Sequence, residues 1–151
     1  MGQIDEQAGV GTMRQGDYMI HILLEKAKDL KCPDDSTVDP MLEVTCLGQK
    51  QFSSAKDDIG GTAEISYGEH IFLEAPTVTK KKAEEGKIKL KLLDKGLFRN
   101  DMIGEFDFDV SKIYFMKNHA LQHKWITLSD PYGENYSEIS GYLKVSISVT
   151  C

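Results

Sequence analysis

Apolar and polar residues alternate with a period of two along most of the chain from residue 18 onward. Successive side chains of a β-strand point to opposite faces, so this alternation predicts strands that bury one face and expose the other. Short segments of this kind, separated by turn-forming residues, are typical of an antiparallel β-sandwich. We predict an all-β fold with eight strands, at residues 18–25, 42–47, 50–54, 67–74, 87–92, 105–110, 124–128 and 143–150. The irregular segments 76–85 and 111–123 have room for short helices.

One strand pairing can be predicted in register from the charges of segments 87–92 and 105–110. If the two segments form a hairpin, three lysines face three acidic residues: Lys91 and Glu105, Lys89 and Asp107, Lys87 and Asp109. Each such pair contributes about 0.2–1 kcal/mol to stability. The other face of the hairpin then supplies the core with Ile88, Leu90, Phe106 and Phe108. The lysine row is therefore better explained by strand pairing than by lipid binding.

Composition limits the classes of function that the chain can serve. With 151 residues, 40% of them apolar, the chain has enough material for one domain with a proper core. Its net charge of −6 excludes nucleic acid as a main partner, because such binding needs a surface that neutralises phosphates. Three widely spaced cysteines do not form a disulfide framework, which favours a reducing compartment.

The beginning of the chain differs from the rest. Residues 1–16 are rich in glycine and glutamine and lack apolar periodicity, so we interpret them as a linker or a cloning remnant. The folded domain is predicted to span residues 17–151. The longest apolar run covers only residues 19–24 and is interrupted by His21, which is too short to cross a membrane.

Two acidic loops precede strands and suggest a metal site. The first contains Asp34, Asp35 and Asp39, and the second contains Asp94 and Asp101. Loops that meet at one end of a sandwich could bring these carboxylates together, and carboxylate oxygens are the ligands that calcium prefers. Alternatively, the aspartates only cap and shape their loops, which aspartate does well.

The order of these motifs resembles that of C2 domains. The resemblance covers residues 18–149 and includes Asp39-Pro40 before a strand and Asp101-Met102-Ile103-Gly104-Glu105-Phe106 after the second acidic loop. Within that family the chain resembles the second, N-terminal-region C2 domain of ferlins, on three motifs: Tyr67-Gly68-Glu69-His70-Ile71-Phe72, Lys124-Trp125 followed by Asp130-Pro131, and Gly141-Tyr142-Leu143-Lys144. The absence of a strand pattern before residue 18 and the strong one after Trp125 correspond to the type II topology.

The resemblance also implies a ligand set for calcium: Asp34 or Asp35, then Asp39, Asp94 and Asp101. The chain departs from the family pattern where a second aspartate usually follows Asp94, because Gly96 occupies that position and Lys95 lies beside it. Calcium needs six to eight oxygen ligands, so the set suits at most one weakly held ion rather than a cluster.

Two groups of residues are candidates for membrane contact. Leu97, Phe98 and Arg99 lie between the aspartates of the second loop, where an apolar tip could insert and a basic neighbour could meet headgroups. The alternative is that Leu97 or Phe98 folds back over the end of the sandwich. The run Lys80-Lys81-Lys82 is the second candidate, although Glu84 and Glu85 dilute its charge and favour a solvated loop.

Catalysis has no support in the sequence. His119 and His123 are four residues apart, but the glutamate of a zinc-protease helix is missing between them. Two functions remain. The first is a C2 module of a ferlin-like protein in membrane trafficking, vesicle fusion or exocytosis, which binds phospholipid at the cytoplasmic face of a membrane while its parent chain is anchored elsewhere. The second is a calcium-independent scaffold that binds neighbouring domains or other proteins.

Overall fold

The computed structural model describes residues 12–33, 36–133 and 138–151 as a sandwich of two antiparallel sheets. Eight strands form it: β1 (Gly16–Lys28), β2 (Pro40–Cys46), β3 (Gln49–Phe52), β4 (Glu64–Val78), β5 (Lys87–Asp94), β6 (Asp101–Asp109), β7 (Ala120–Leu128) and β8 (Gly141–Thr150). Two short helices, α1 (Lys80–Glu85) and α2 (Val110–Tyr114), and a 3-10 turn (Lys117–His119) lie in the segments expected to hold helices. The predicted all-β, eight-stranded antiparallel sandwich is confirmed.

The first and last strands are neighbours in one sheet. Its order is β4-β1-β8-β7, and that of the second sheet is β3-β2-β5-β6. Strands β1 and β4 extend beyond their predicted ends because their pairing continues past a register shift between Gly16 and Tyr18 at one end and past a bulge between Leu24 and Lys26 at the other. The bulge shifts the alternation, so that Ala27 is buried where a strict period of two would have buried Lys26. The inward faces of both sheets form one apolar core, in which Ile20, Ile22 and Leu90 are fully buried.

The β5–β6 hairpin has the register that its charges predict. Lys87 pairs with Asp109, Lys89 with Asp107 and Lys91 with Glu105. Of these three pairs, Lys87–Asp109 forms an ion pair, with its nitrogen and oxygen 2.8 Å apart. The prediction for the phenylalanines needs a correction: Phe106 and Phe108 are half-buried against the core rather than inside it, because β6 is an edge strand. Their rings meet edge to face, with centroids 4.9 Å apart.

The β2–β3 hairpin turns through Leu47 and Gly48, as the glycine predicts. Both residues have positive φ, 50° and 80°, which suits the two-residue turns that match the twist of paired strands.

The strand directions divide the connections into two ends. We call the described parts of segments 29–39, 53–63, 94–101 and 129–140 the loop end, and segments 47–48, 79–87 and 109–119 the helical end. A strand rises about 3.3 Å per residue, so the eight residues of β5 separate the two ends by roughly 25 Å.

Near the loop end, a bridge joins the two sheets at one edge of the sandwich. The Glu105 N–H donates to the Ser129 carbonyl oxygen at 2.9 Å. The two chain segments can come this close only because residue 104 is glycine: a Cβ there would overlap the Ser140 hydroxyl and lie 2.8 Å from Leu128 Cβ. Over the described part of the chain, no helix is both long and apolar enough to cross a bilayer.

Candidate functional site

The β5–β6 loop ends in two exposed apolar side chains. Leu97 is 96% exposed and Phe98 is 99% exposed, so neither folds back over the sandwich. Gly96 closes the turn: its N–H donates to Asn100 Oδ1 at 3.3 Å, and a Cβ on it would overlap the Arg99 carbonyl oxygen. Gly96, which stands where the resemblance to C2 domains would place a second aspartate, is therefore required by this tight turn.

Two of the five predicted metal ligands hold the loop end together. The Asp39 N–H donates to Asp94 Oδ1 at 2.8 Å, and the Asp58 N–H donates to Asp39 Oδ1 at 2.8 Å. The two carboxylates thus connect the β1–β2, β3–β4 and β5–β6 segments. Each uses one oxygen for a backbone N–H, which is the loop-shaping role that the sequence left open.

Asp101 lies next to this pair but has a different partner. It faces Asp94 across the β5–β6 ladder, and its Oδ1 is 3.2 Å from the Arg99 Nε. Its side chain is 65% exposed. Asp34 and Asp35 lie outside the described residues. Within the described ranges, no three histidine, cysteine or acidic side chains converge as metal ligands. The described aspartates therefore do not form a converged group of carboxylates of the kind that supplies most calcium ligands.

A cavity of about 280 Å³ opens between these loops and the β7–β8 segment. Asp94 and Asp101 line it together with Lys31, Asp130 and Glu138, and Lys31 Nζ lies 3.9 Å from Glu138 Oε2. We did not predict the last three residues as part of the site. The available signal was that segment 129–140 also connects two strands at this end.

The loop end is acidic overall. Its described residues include eight carboxylates and four basic side chains. Cys32 lies among these residues, and burial, together with the nearby Asp94 carboxylate, raises the pKa of its thiol. An anionic surface is therefore repelled by this end unless another interaction compensates.

The second membrane candidate lies at the opposite end of the molecule. Lys80, Lys81 and Lys82 are exposed and belong to helix α1 rather than to a loop. Thr79 caps this helix by accepting from the Lys82 N–H at 3.2 Å, and Ala83 anchors it in the core. Lys80–Lys82 and the Leu97–Phe98 tip therefore cannot form one contact with the same flat surface.

The model of the C2 domain family matches residues 18–128. The chain belongs to the C2 domain family.

Its relatives indicate a ferlin-like C2 domain. Myoferlin of Xenopus tropicalis is 30% identical over 134 residues, which is 88% of this chain and 6% of that protein. The chain thus spans only a small part of the curated relatives that it matches. The correspondence to the second C2 domain of ferlins stays a prediction.

Solved C2 domains share the fold at low sequence identity. The calcium-bound tandem C2 domains of extended synaptotagmin 2 align with a TM-score of 0.65 and 12% identity, over 89% of this chain and 43% of that one. Human GIVD cytosolic phospholipase A2 aligns with a TM-score of 0.57 and 16% identity, over 89% of this chain and 16% of that one. The strand orders β4-β1-β8-β7 and β3-β2-β5-β6 agree with the predicted type II topology. The prediction that this C2 domain is not an enzyme stays a prediction.

Proposed function

We propose that this C2 domain docks peripherally on phospholipid bilayers by inserting the Leu97–Phe98 tip. The observation that supports the proposal is the almost complete exposure of two consecutive apolar side chains at the end of a hairpin. Burying such a side chain contributes about 1.5–3 kcal/mol, so the pair is a strong driving force for insertion. Arg99 follows the tip and is held by Asp101, which places a basic group at headgroup depth.

The biological setting follows from the ferlin-like relatives and is part of the same proposal. A module of this kind serves membrane trafficking, vesicle fusion or exocytosis at the cytoplasmic face of a membrane. Its parent chain is anchored outside the segment described.

We propose further that calcium is not required for docking. Asp39 and Asp94 already use one oxygen each to bind backbone N–H groups, and Asp101 pairs with Arg99. The acidic loop end then favours zwitterionic over anionic lipid, because insertion of the tip does not depend on lipid charge whereas the surrounding carboxylates repel anionic headgroups. A calcium ion held by Asp34, Asp35, Asp39, Asp94 and Asp101 stays a prediction.

Vesicle sedimentation with phosphatidylcholine in the presence of chelator tests the proposal. The double variant Leu97→Ser/Phe98→Ser is expected to bind at least about a hundredfold more weakly, since two buried apolar side chains are lost. Its melting temperature should stay unchanged because both side chains are exposed. The matched control is Phe72→Ser, which removes a phenyl ring that is 53% exposed on the outer face of β4.

Two results with the variants would contradict tip docking. One is unchanged binding of the double variant. The other is an equal loss in the Phe72→Ser control, which would indicate that exposed apolar surface in general causes binding. If the wild-type protein does not bind vesicles at all, the calcium-independent scaffold becomes the better explanation.

A further inference from the structure

The helical end carries an excess of positive charge that tip docking does not use. Six lysines lie there, against three carboxylates from Glu84, Glu85 and Asp109. The lysines are Lys80, Lys81, Lys82, Lys87, Lys112 and Lys117, and all six are exposed. Arg14 and Asp17, where β1 begins, add one charge of each sign. The chain as a whole has a net charge of −6, so this local excess is opposite in sign to the rest of the surface.

Most of these ammonium groups are free to meet a partner. Asp109 forms ion pairs with both Lys87, at 2.8 Å, and Lys112, at 3.7 Å. Among the described residues, no carboxylate lies within 4.0 Å of the other four lysines. Lysines that only solubilise a surface are commonly paired with acidic partners, whereas none of these four forms an ion pair, although Glu84 and Glu85 lie in the same helix as Lys80–Lys82.

The lysines also lie on a rigid support. Helix α1 is anchored by Ala83, and α2 is anchored by Val110 and Ile113, all of them fully buried. The Val110 N–H donates to the Gly86 carbonyl oxygen at 3.0 Å and fixes the start of α2 to the end of α1. The charges are therefore held together at one end, on a base that does not have to be ordered on binding.

We infer that the helical end is a second docking surface, specific for anionic bilayers, and that the domain bridges two membranes. This inference rests on the proposed tip docking for its first membrane. The two ends are roughly 25 Å apart and point in opposite directions, so one bilayer cannot satisfy both. An anionic bilayer suits the helical end because several flexible lysines near a diffuse negative surface each add to its attraction. The loop end binds by inserting apolar side chains into a bilayer, and the helical end binds by attraction to negatively charged lipid.

A clustering assay with two vesicle populations tests the bridge. One population is pure phosphatidylcholine with a donor dye, and the other contains phosphatidylserine and carries an acceptor dye. The wild-type protein in chelator is expected to produce energy transfer between them. The variant Lys80→Gln/Lys81→Gln/Lys82→Gln should require at least about tenfold more protein for the same clustering. Its sedimentation with pure phosphatidylcholine should equal that of the wild type.

The matched control removes the same charge elsewhere. Lys91→Gln/Lys124→Gln/Lys144→Gln changes three lysines that lie inside strands β5, β7 and β8 and belong to neither end. This control should cluster vesicles like the wild type. If it loses clustering as much as the Lys80–Lys82 variant, net charge rather than the helical end is responsible, and the inference is wrong.

Other outcomes separate failure of the bridge from failure of tip docking. No clustering by a wild-type protein that still sediments with phosphatidylcholine overturns the bridge alone. Clustering that survives Leu97→Ser/Phe98→Ser overturns tip docking and the bridge together. A soluble poly-glutamate chain serves as a probe for an acidic protein partner. If the Lys80–Lys82 variant loses poly-glutamate binding but keeps phosphatidylserine binding, the surface is for acidic protein and the bilayer assignment is wrong.

Discussion

The two ends of this sandwich distribute charge and apolar surface in opposite ways. At the loop end, Asp39 and Asp94 are tied into the backbone while Leu97 and Phe98 are left in solvent. At the helical end, apolar residues such as Ala83 are buried and the lysines are left in solvent. At the loop end, carboxylates stabilise the loops and apolar side chains are exposed. At the helical end, apolar side chains stabilise the helices and charged side chains are exposed. Whether a residue type is structural or available for contact depends on which end it occupies.

The largest contrast between the ends is expected from two glycine substitutions. In Gly104→Ala, the new Cβ meets Leu128 Cβ and the Ser129 nitrogen, which the opposite strand holds in place. In Gly86→Ala, it meets Leu47 Cδ2 at 2.9 Å, Val110 Cγ2 at 3.0 Å and the Lys82 carbonyl oxygen at 3.2 Å, and the end of the Leu47 side chain, which makes the shortest of these contacts, can shift. We expect losses in the free energy of unfolding of about 3 kcal/mol and about 1 kcal/mol, respectively, measured by urea denaturation.

Adding a second substitution to the Gly104→Ala variant tests which contact of the new Cβ causes the loss of stability. Ser140→Ala removes the hydroxyl that the new Cβ overlaps but leaves Leu128 Cβ at 2.8 Å, so it should restore only part of the stability. Equal losses in the free energy of unfolding for Gly104→Ala and Gly86→Ala would show that the structure around Gly104 is packed no more tightly than that around Gly86.

The carboxylate at the loop end is expected to matter more for stability than the hydroxyl cap at the helical end. Asp94→Ala leaves the Asp39 N–H without its acceptor and should cost about 1–2 kcal/mol. Asp94→Asn keeps an acceptor oxygen and should cost less. Thr79→Ala removes the cap of a short helix and should cost about 0.5–1 kcal/mol. If Asp94→Ala is tolerated as well as Asp94→Asn, that bond does not hold the loops together.

Asp109→Asn is expected to strengthen the positive character of the helical end. The change frees Lys87 and Lys112 from their shared carboxylate, so binding to phosphatidylserine vesicles should rise about fivefold in a sedimentation assay. The hydrogen bond from Lys87 holds the pKa of the Asp109 carboxyl below its usual value.

This pKa shift gives the substitution a pH signature. A depressed carboxyl pKa contributes stability that is complete above the ordinary aspartate range and is lost as pH falls through the lowered value. The stabilities of wild type and Asp109→Asn should therefore differ at neutral pH and converge in acid. A difference that stays constant down to the lowest pH at which both fold would contradict this role of Lys87.

The smallest effect is expected from calcium. If the loop-end carboxylates are structural, a thermal melt in millimolar calcium should match one in chelator, because only a ligand that binds the native state raises the midpoint. The comparison variant is Asp94→Asn/Asp101→Asn. A rise in the wild-type midpoint that this variant abolishes would establish a calcium site and contradict calcium-independent docking.

Much of the fold could be predicted from the sequence because alternation and charge specify strands and their partners locally. The register of β5 and β6 was predictable, since a shift by one residue would place lysines in the core. The half-burial of Phe106 and Phe108 was not, because which strand lies at the edge of a sheet depends on the whole topology.

The candidate site was less predictable than the fold for the same reason. Asp39 and Asp94 lie together at one end, but their hydrogen bonds to backbone depend on loop conformations that no local pattern encodes, and their role as metal ligands stays a prediction. The membrane roles of Leu97, Phe98 and Lys80–Lys82 stay predictions. Their positions at opposite ends could have been inferred from the sequence, because a single predicted strand, β5, lies between Lys80–Lys82 and the Leu97–Phe98 tip.

The pairing of the first and last strands has a mechanical consequence. Strand β1 begins and β8 ends at the helical end, and the two strands are hydrogen-bonded neighbours from Met19–Thr150 to Lys28–Tyr142. A pulling force applied to the chain on both sides of the domain would therefore load this ladder from one end. Its bonds would open one after another, as in unzipping, rather than resist together in shear. A domain attached in this way should yield at low tension, while its loop tip remains the point farthest from both attachments.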